Sequence, residues 1–131
     1  MAQIIDFPKI LDKRGNLTFL ENYNQIPFEI KRVFWTYDVP GGETRGGHAY
    51  FEQEEIIIAL SGSFDVVVMN QIGIQTKFSL NRSNYGLYIP PLTWRNMENF
   101  STNSLGLHLS SKIYQESDYI RDFEVFSTCG K

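Results

Sequence analysis

The chain holds one cysteine in 131 residues, Cys129. No disulfide framework can form within it, and a reducing, cytoplasmic setting is expected. Cys129 sits in the tail, where no role is assigned to it. Long apolar runs are missing: none approaches the roughly 20 residues that a membrane-spanning helix needs. The opening residues, MAQIIDFPKILDKRGN, lack a basic stretch followed by a long apolar one, and no secretory signal is read there. No membrane partner is therefore expected. Charge of one sign is lacking too, because 12 Lys and Arg stand against 15 Asp and Glu for a net of −3. Broad electrostatic binding of nucleic acid needs a basic face and is excluded. A small anion held by a few local arginines is not. Repeats, low-complexity tracts and linkers are absent, which leaves a single domain over residues 1–131, long enough to bury a core unaided.

Aromatic residues are plentiful: ten Phe, seven Tyr and two Trp. They suit a β-rich core or a stacking pocket, and packing accounts for most of them. The apolar period is that of strands. NLTFLEN and IQTKFSL alternate, IKRVFWTYDV stops at Pro40-Gly41-Gly42, and EIIIALSG is apolar without a break, as in a strand buried on both faces. GSFDVVVMN follows a Ser-Gly-Ser turn, NQIG is a second turn, and GLYIPP and SLGLHLSS complete the set. Eight or so strands at this spacing predict an all-β sandwich or barrel. Only ESDYIRDFEVF reads as a helix, with Ser117 as N-cap, Asp118 in the first turn, and Tyr119, Ile120 and Phe123 on its apolar side.

The centre of the chain reads RGGHAYFEQEE. His48 and Tyr50 stand at i and i+2, so they project from one strand face. That spacing suits a metal site or an acid–base pair. The stretch aligns with the first cupin motif, G-x5-H-x-H-x3-4-E-x6-G: Gly42, His48, Glu55 and Gly62 match it, and Tyr50 replaces the second histidine. The second motif fits more loosely, with Pro90 and Asn99 in place, Leu92 at a glycine position and Arg95 at the histidine position. The four positions that hold a cupin metal are thus His48, Tyr50, Glu55 and Arg95. Arginine stays protonated and repels a cation, so no metal is expected.

A closer resemblance covers the chain from about Ile5 to Phe126. The wording and order of IPFEIKRVF, RGGHA, GLYIPPLTW and SDYIRDF resemble the WxcM-like sugar 3,4-ketoisomerases of the cupin superfamily. The resemblance implies a cupin jelly-roll barrel with a short C-terminal helix. It implies a dTDP-linked 4-keto-6-deoxyhexose substrate, such as dTDP-4-keto-6-deoxy-glucose, whose carbonyl moves from C4 to C3 on the way to 3-amino-deoxysugars. It also implies that no cofactor is needed and that the protein is a homodimer with exchanged N-terminal strands.

Moving a ketone one carbon along requires a base near neutral pKa, charge stabilisation at oxygen, and cations for pyrophosphate. The catalytic candidates are His48, for proton transfer, and Tyr50, to donate to substrate oxygen or relay a proton. The substrate-binding candidates are Arg95 beside the developing enediolate, Trp94 as a pocket wall, Arg32 and Arg45 for phosphate, Arg14 for the sugar end and Tyr88 lining the barrel. The family pattern has histidine where Tyr50 stands, and a tyrosine of pKa near 10 is a poorer base. Simpler roles compete: hydrogen bonding for His48, packing for Tyr50, surface charge or dimer ion pairs for the arginines. His108 is assigned a structural role. The rival functions are a non-catalytic sugar-nucleotide-binding cupin, a 3,5-epimerase and a metal-dependent dioxygenase.

Overall fold

Branched and aromatic residues alternate through most of the chain, and they pair as antiparallel strands. The computed structural model describes residues 1–129. The strands are β1 (Gln3–Asp6), β2 (Lys9–Ile10), β3 (Leu17–Thr18), β4 (Arg32–Tyr37), β5 (Arg45–Tyr50), β6 (Glu55–Ser61), β7 (Phe64–Met69), β8 (Gln75–Leu80), β9 (Tyr85–Ile89), β10 (Trp94–Glu98), β11 (Leu105–Ser110) and β12 (Tyr119–Ile120). One helix, α1 (Phe123–Thr128), ends the described chain. One sheet has the order β1-β9-β6-β11-β4, the other β12-β5-β10-β7-β8, and β2 and β3 form a separate hairpin. This is the all-β architecture with a short C-terminal helix that the sequence predicts.

The unbroken apolar run of β6 explains the layering. Ile57 and Ala59 point inward, to a core with Phe64, Val66, Leu87, Ile89 and Met97. Ile56 and Ile58 point outward, to a second core with Phe7, Ile26, Phe28 and Leu109. The outer layer therefore needs the segment around Ile26 and Phe28 to lie across the first sheet. Each isoleucine buried in this way contributes about 1.5–3 kcal/mol relative to exposure. Gly62 makes the turn into β7 at φ +68, where an added Cβ would lie 2.8 Å from Ser104 Cα. No other residue fits that corner.

Beyond the short N-terminal strands β1 and β2, which the sequence reading did not name, two regions beside the site differ from it. β10 supplies a central strand that periodicity missed, because Arg95, Asn96 and Glu98 interrupt its apolar residues. The C-terminal helix begins later than predicted. Glu116–Asp118 is a single 3-10 turn, Tyr119 and Ile120 pair with Tyr50 and Ala49 of β5, and Asp122 rather than Ser117 caps α1. Edge pairing satisfies the backbone groups of β5, which outweighs the helical pattern of this segment.

Candidate active site

A cleft of about 120 Å³ opens between β4 and β11 of one sheet and β5 and β10 of the other. Its wall includes Phe34, Thr36, Arg45, His48, Glu55, Arg95 and His108. The residues before His48 set its position. Gly46 and Gly47 have φ of +97 and +74, and the register between β10 and β5 shifts here, with Arg95 opposite His48 and Asn96 opposite Gly46. Gly47 is the extra residue of a β-bulge, which re-aims the strand beside the site. A Cβ on Gly46 would lie 2.9 Å from the Arg95 carbonyl oxygen.

Arg95, Glu55, His48 and His108 meet inside. Arg95 is 1% exposed. Its Nη1 donates to Glu55 Oε1 at 3.1 Å, its Nη2 donates to the Thr93 carbonyl at 3.0 Å, and its guanidinium lies 4.8 Å from the centre of the Tyr50 ring. Burial opposes ionisation of Glu55, but Arg95, then His108 and His48, outweigh it and hold its pKa down to about 2. Its second oxygen, Oε2, is buried without a protein partner. His48 lies in register with Arg95. Burial first, and then the Arg95 charge, push its pKa down to about 4, against the opposing pull of Glu55. The imidazole is a free base at neutral pH. Its Nε2 lies 3.2 Å from the Tyr50 hydroxyl. Burial and the Glu55 charge raise the Tyr50 pKa strongly, so the phenol keeps its proton beside that nitrogen.

The structure sorts the sequence candidates. His48, Arg45 and Arg95 reach the cleft. Tyr50 is fully buried and is not on the cleft wall; its hydroxyl contacts the His48 imidazole. Arg95 is expected to bring fixed positive charge to the cavity; it lies there, paired with Glu55. Arg32 flanks the site: it donates to Gln53 and to the Tyr119 hydroxyl, and stacks 4.6 Å over Phe34. Three residues expected in the pocket lie elsewhere. Trp94 alternates with Arg95 and so faces outward, packing on Phe123 and Phe126 beneath α1. Tyr88 likewise alternates with the inward Leu87, joins the outer core and donates to Glu54 at 2.7 Å. Arg14 is an exposed residue of the β2–β3 connection, paired with Asp12. Sequence reasoning passed over Phe34 and Thr36 and gave His108 a structural role. Their signal is alternation: Val33, Trp35 and Tyr37 are exposed, and Leu107 packs on the outer core, which leaves the residues between them to the cavity.

The cupin metal positions do not fit a metal here. One of them carries a guanidinium that already occupies the Glu55 carboxylate, and a cation in that place would be repelled. Among the described residues, no group of three or more His, Cys, Asp or Glu is placed to hold an ion.

Comparison with known proteins agrees with this geometry. A curated relative, TDP-4-oxo-6-deoxy-alpha-D-glucose-3,4-oxoisomerase of Aneurinibacillus thermoaerophilus, is 39% identical over 95% of this chain and 88% of its own. A crystal structure of a 3,4-ketoisomerase from Helicobacter canadensis superposes with a TM-score of 0.92 at 41% identity, covering 96% of this chain and 94% of that one. A mutant of the 3,4-ketoisomerase QdtA from Thermoanaerobacterium thermosaccharolyticum, in complex with TDP-4-keto-6-deoxyglucose, superposes with a TM-score of 0.93 at 36% identity, covering 96% of this chain and 91% of that one. The family model described as WxcM-like, C-terminal matches residues 1–131, and the chain belongs to that family.

Proposed function

We propose that the protein is a sugar-nucleotide 3,4-ketoisomerase that moves the carbonyl of dTDP-4-keto-6-deoxyglucose from C4 to C3 by acid–base enolisation. The relative of 39% identity carries that activity in its name. The observation that carries the reading for this chain is the state of His48: an unprotonated imidazole on the wall of the cleft, beside a buried cation. Such a base can take the C3 hydrogen, and negative charge growing on the substrate oxygen strengthens it as the proton moves. The proton then returns at C4. Arg95 stabilises the enediolate, and Arg45 at the mouth meets the pyrophosphate. Tyr50 orients His48 through the 3.2 Å contact.

The protein acts as a homodimer in the cytoplasm. Val33, Trp35 and Tyr37 on the free edge strand β4 are 48, 57 and 62% exposed. Ile10, Leu11 and Leu17 of the β2–β3 hairpin are exposed too. An apolar edge of this kind suits a second copy.

Incubation with dTDP-4-keto-6-deoxyglucose in deuterium oxide tests the reading. NMR should show the 3-keto product and deuterium on the ring. His48→Asn should abolish both, and Tyr50→Phe should slow turnover by about tenfold without ending it. A protein that binds dTDP but neither isomerises nor exchanges is a binder only. Full activity in His48→Asn removes His48 from its role.

A further inference from the structure

Ketoisomerisation moves two hydrogens, and His48 accounts for one. C3 loses a hydrogen and C4 gains one. O3 loses a hydrogen and O4 gains one. The oxygen-bound proton needs a carrier of its own, placed where His48 is not.

The two histidines of the chain, 60 residues apart in sequence, stand on facing sheets of one cleft, with Glu55 contacting the second of them. His108 lies opposite Phe34 in the β11–β4 register, and the two rings stack at 4.4 Å. Its Nε2 is 3.1 Å from Thr36 Oγ1, and its Nδ1 is 3.4 Å from Glu55 Oε1. The carboxylate is ionised and can only accept, so Nδ1 carries the hydrogen. In the neutral ring Nε2 then accepts from the Thr36 hydroxyl, whose other acceptor, the Gly106 carbonyl, lies farther away at 3.5 Å. Hydroxyl, imidazole and carboxylate form a chain of the kind that activates a hydroxyl for proton transfer. The 3.4 Å contact is long, as such contacts often are before substrate binds.

We propose that Thr36, His108 and Glu55 form a second proton relay, which carries the O3 proton to O4 while His48 carries the C3 hydrogen to C4. The inference rests on the isomerase reading. His48 takes the C3 hydrogen, the C3–H pair becomes the C3–C4 double bond, and the C4 carbonyl pair moves onto O4. Thr36 Oγ1 then accepts the O3 proton as it passes its own to His108 Nε2, and Glu55 balances the imidazolium. The relay runs back to protonate O4. The C3 carbonyl closes, and the double-bond pair takes the proton held by His48 at C4. No oxidant or reductant is consumed.

Thr36→Val, which removes the hydroxyl and keeps the shape, tests this. With dTDP-4-keto-6-deoxyglucose its kcat should fall by about tenfold or more at unchanged KM, and Thr36→Ser should keep most of the wild-type rate. The 3-deoxy analogue, dTDP-4-keto-3,6-dideoxyglucose, has no O3 proton. Deuterium uptake at its C3 should stay within about twofold of wild type in Thr36→Val and vanish in His48→Asn. Wild-type kcat in Thr36→Val, an equal loss in Thr36→Ser, or a parallel loss of exchange in the analogue overturns the relay. If the unsubstituted protein neither isomerises nor exchanges, the isomerase reading falls and the relay falls with it.

Discussion

His48 and Tyr50 share a strand face, but their environments part them. His48 stands at the cleft and Tyr50 lies wholly behind it. The spacing put them side by side; only the tertiary structure leaves one on the cleft wall and the other enclosed. Burial also gives His48 a pH signature. Its folded pKa of about 4 lies below the ordinary 6.5. Between those values the unfolded chain holds a proton that the folded chain does not, so stability falls as pH drops from 6.5 towards 4. Glu55, held at about 2 against an ordinary 4.5, adds a second loss below pH 4.5. The His48 part amounts to something on the order of 3 kcal/mol. Chemical denaturation at pH 7 and pH 4.5 should show a smaller loss in His48→Asn than in the wild type. Equal losses would show that His48 is not titrating as described.

At the scale of elements, the bulge at Gly46–Gly47 and the late start of α1 position the site. Both depend on contacts far apart in sequence. Asp118 is the clearest case. Its carboxylate accepts from the backbone N–H groups of Glu52 and Gln53 at 2.9 and 3.0 Å, and its carbonyl accepts from Phe51 at 2.9 Å. It clamps the turn between β5, which carries His48, and β6, which begins with Glu55. Asp118→Ala leaves two backbone donors without partners and should cost about 2–4 kcal/mol. Thermal melting measures it, and a change under about 0.5 kcal/mol would mean that water replaces the carboxylate. The sequence reading gave Asp118 to a helix because Ser-Asp followed by spaced apolar residues is a helix-start pattern. The long-range bonds were invisible to it.

At the scale of the whole molecule, the cleft lies beside a free apolar edge. β4 shows Val33, Trp35 and Tyr37 outward and gives Phe34 and Thr36 to the site. The proposed dimer face and the proposed site therefore share one strand. Val33→Asp together with Tyr37→Asp should shift the protein from dimer to monomer in light scattering after size exclusion, because two buried charges per copy would face an apolar partner. An unchanged dimer would place the interface on another face.

The order of apolar and polar residues by itself determined a two-sheet, all-β chain. β6 is apolar on both sides because it separates two cores, and that is written in five consecutive residues, Ile56 to Leu60. The histidine after two glycines was legible for the same local reason. Which of two alternating faces looks into the cleft was decided only by the tertiary structure. A period of two fixes that neighbours diverge but not which way each points. Closing the barrel turned Trp94 and Tyr88 outward, drew His108 and Thr36 inward, and placed Glu55 between two cationic or basic groups from different strands.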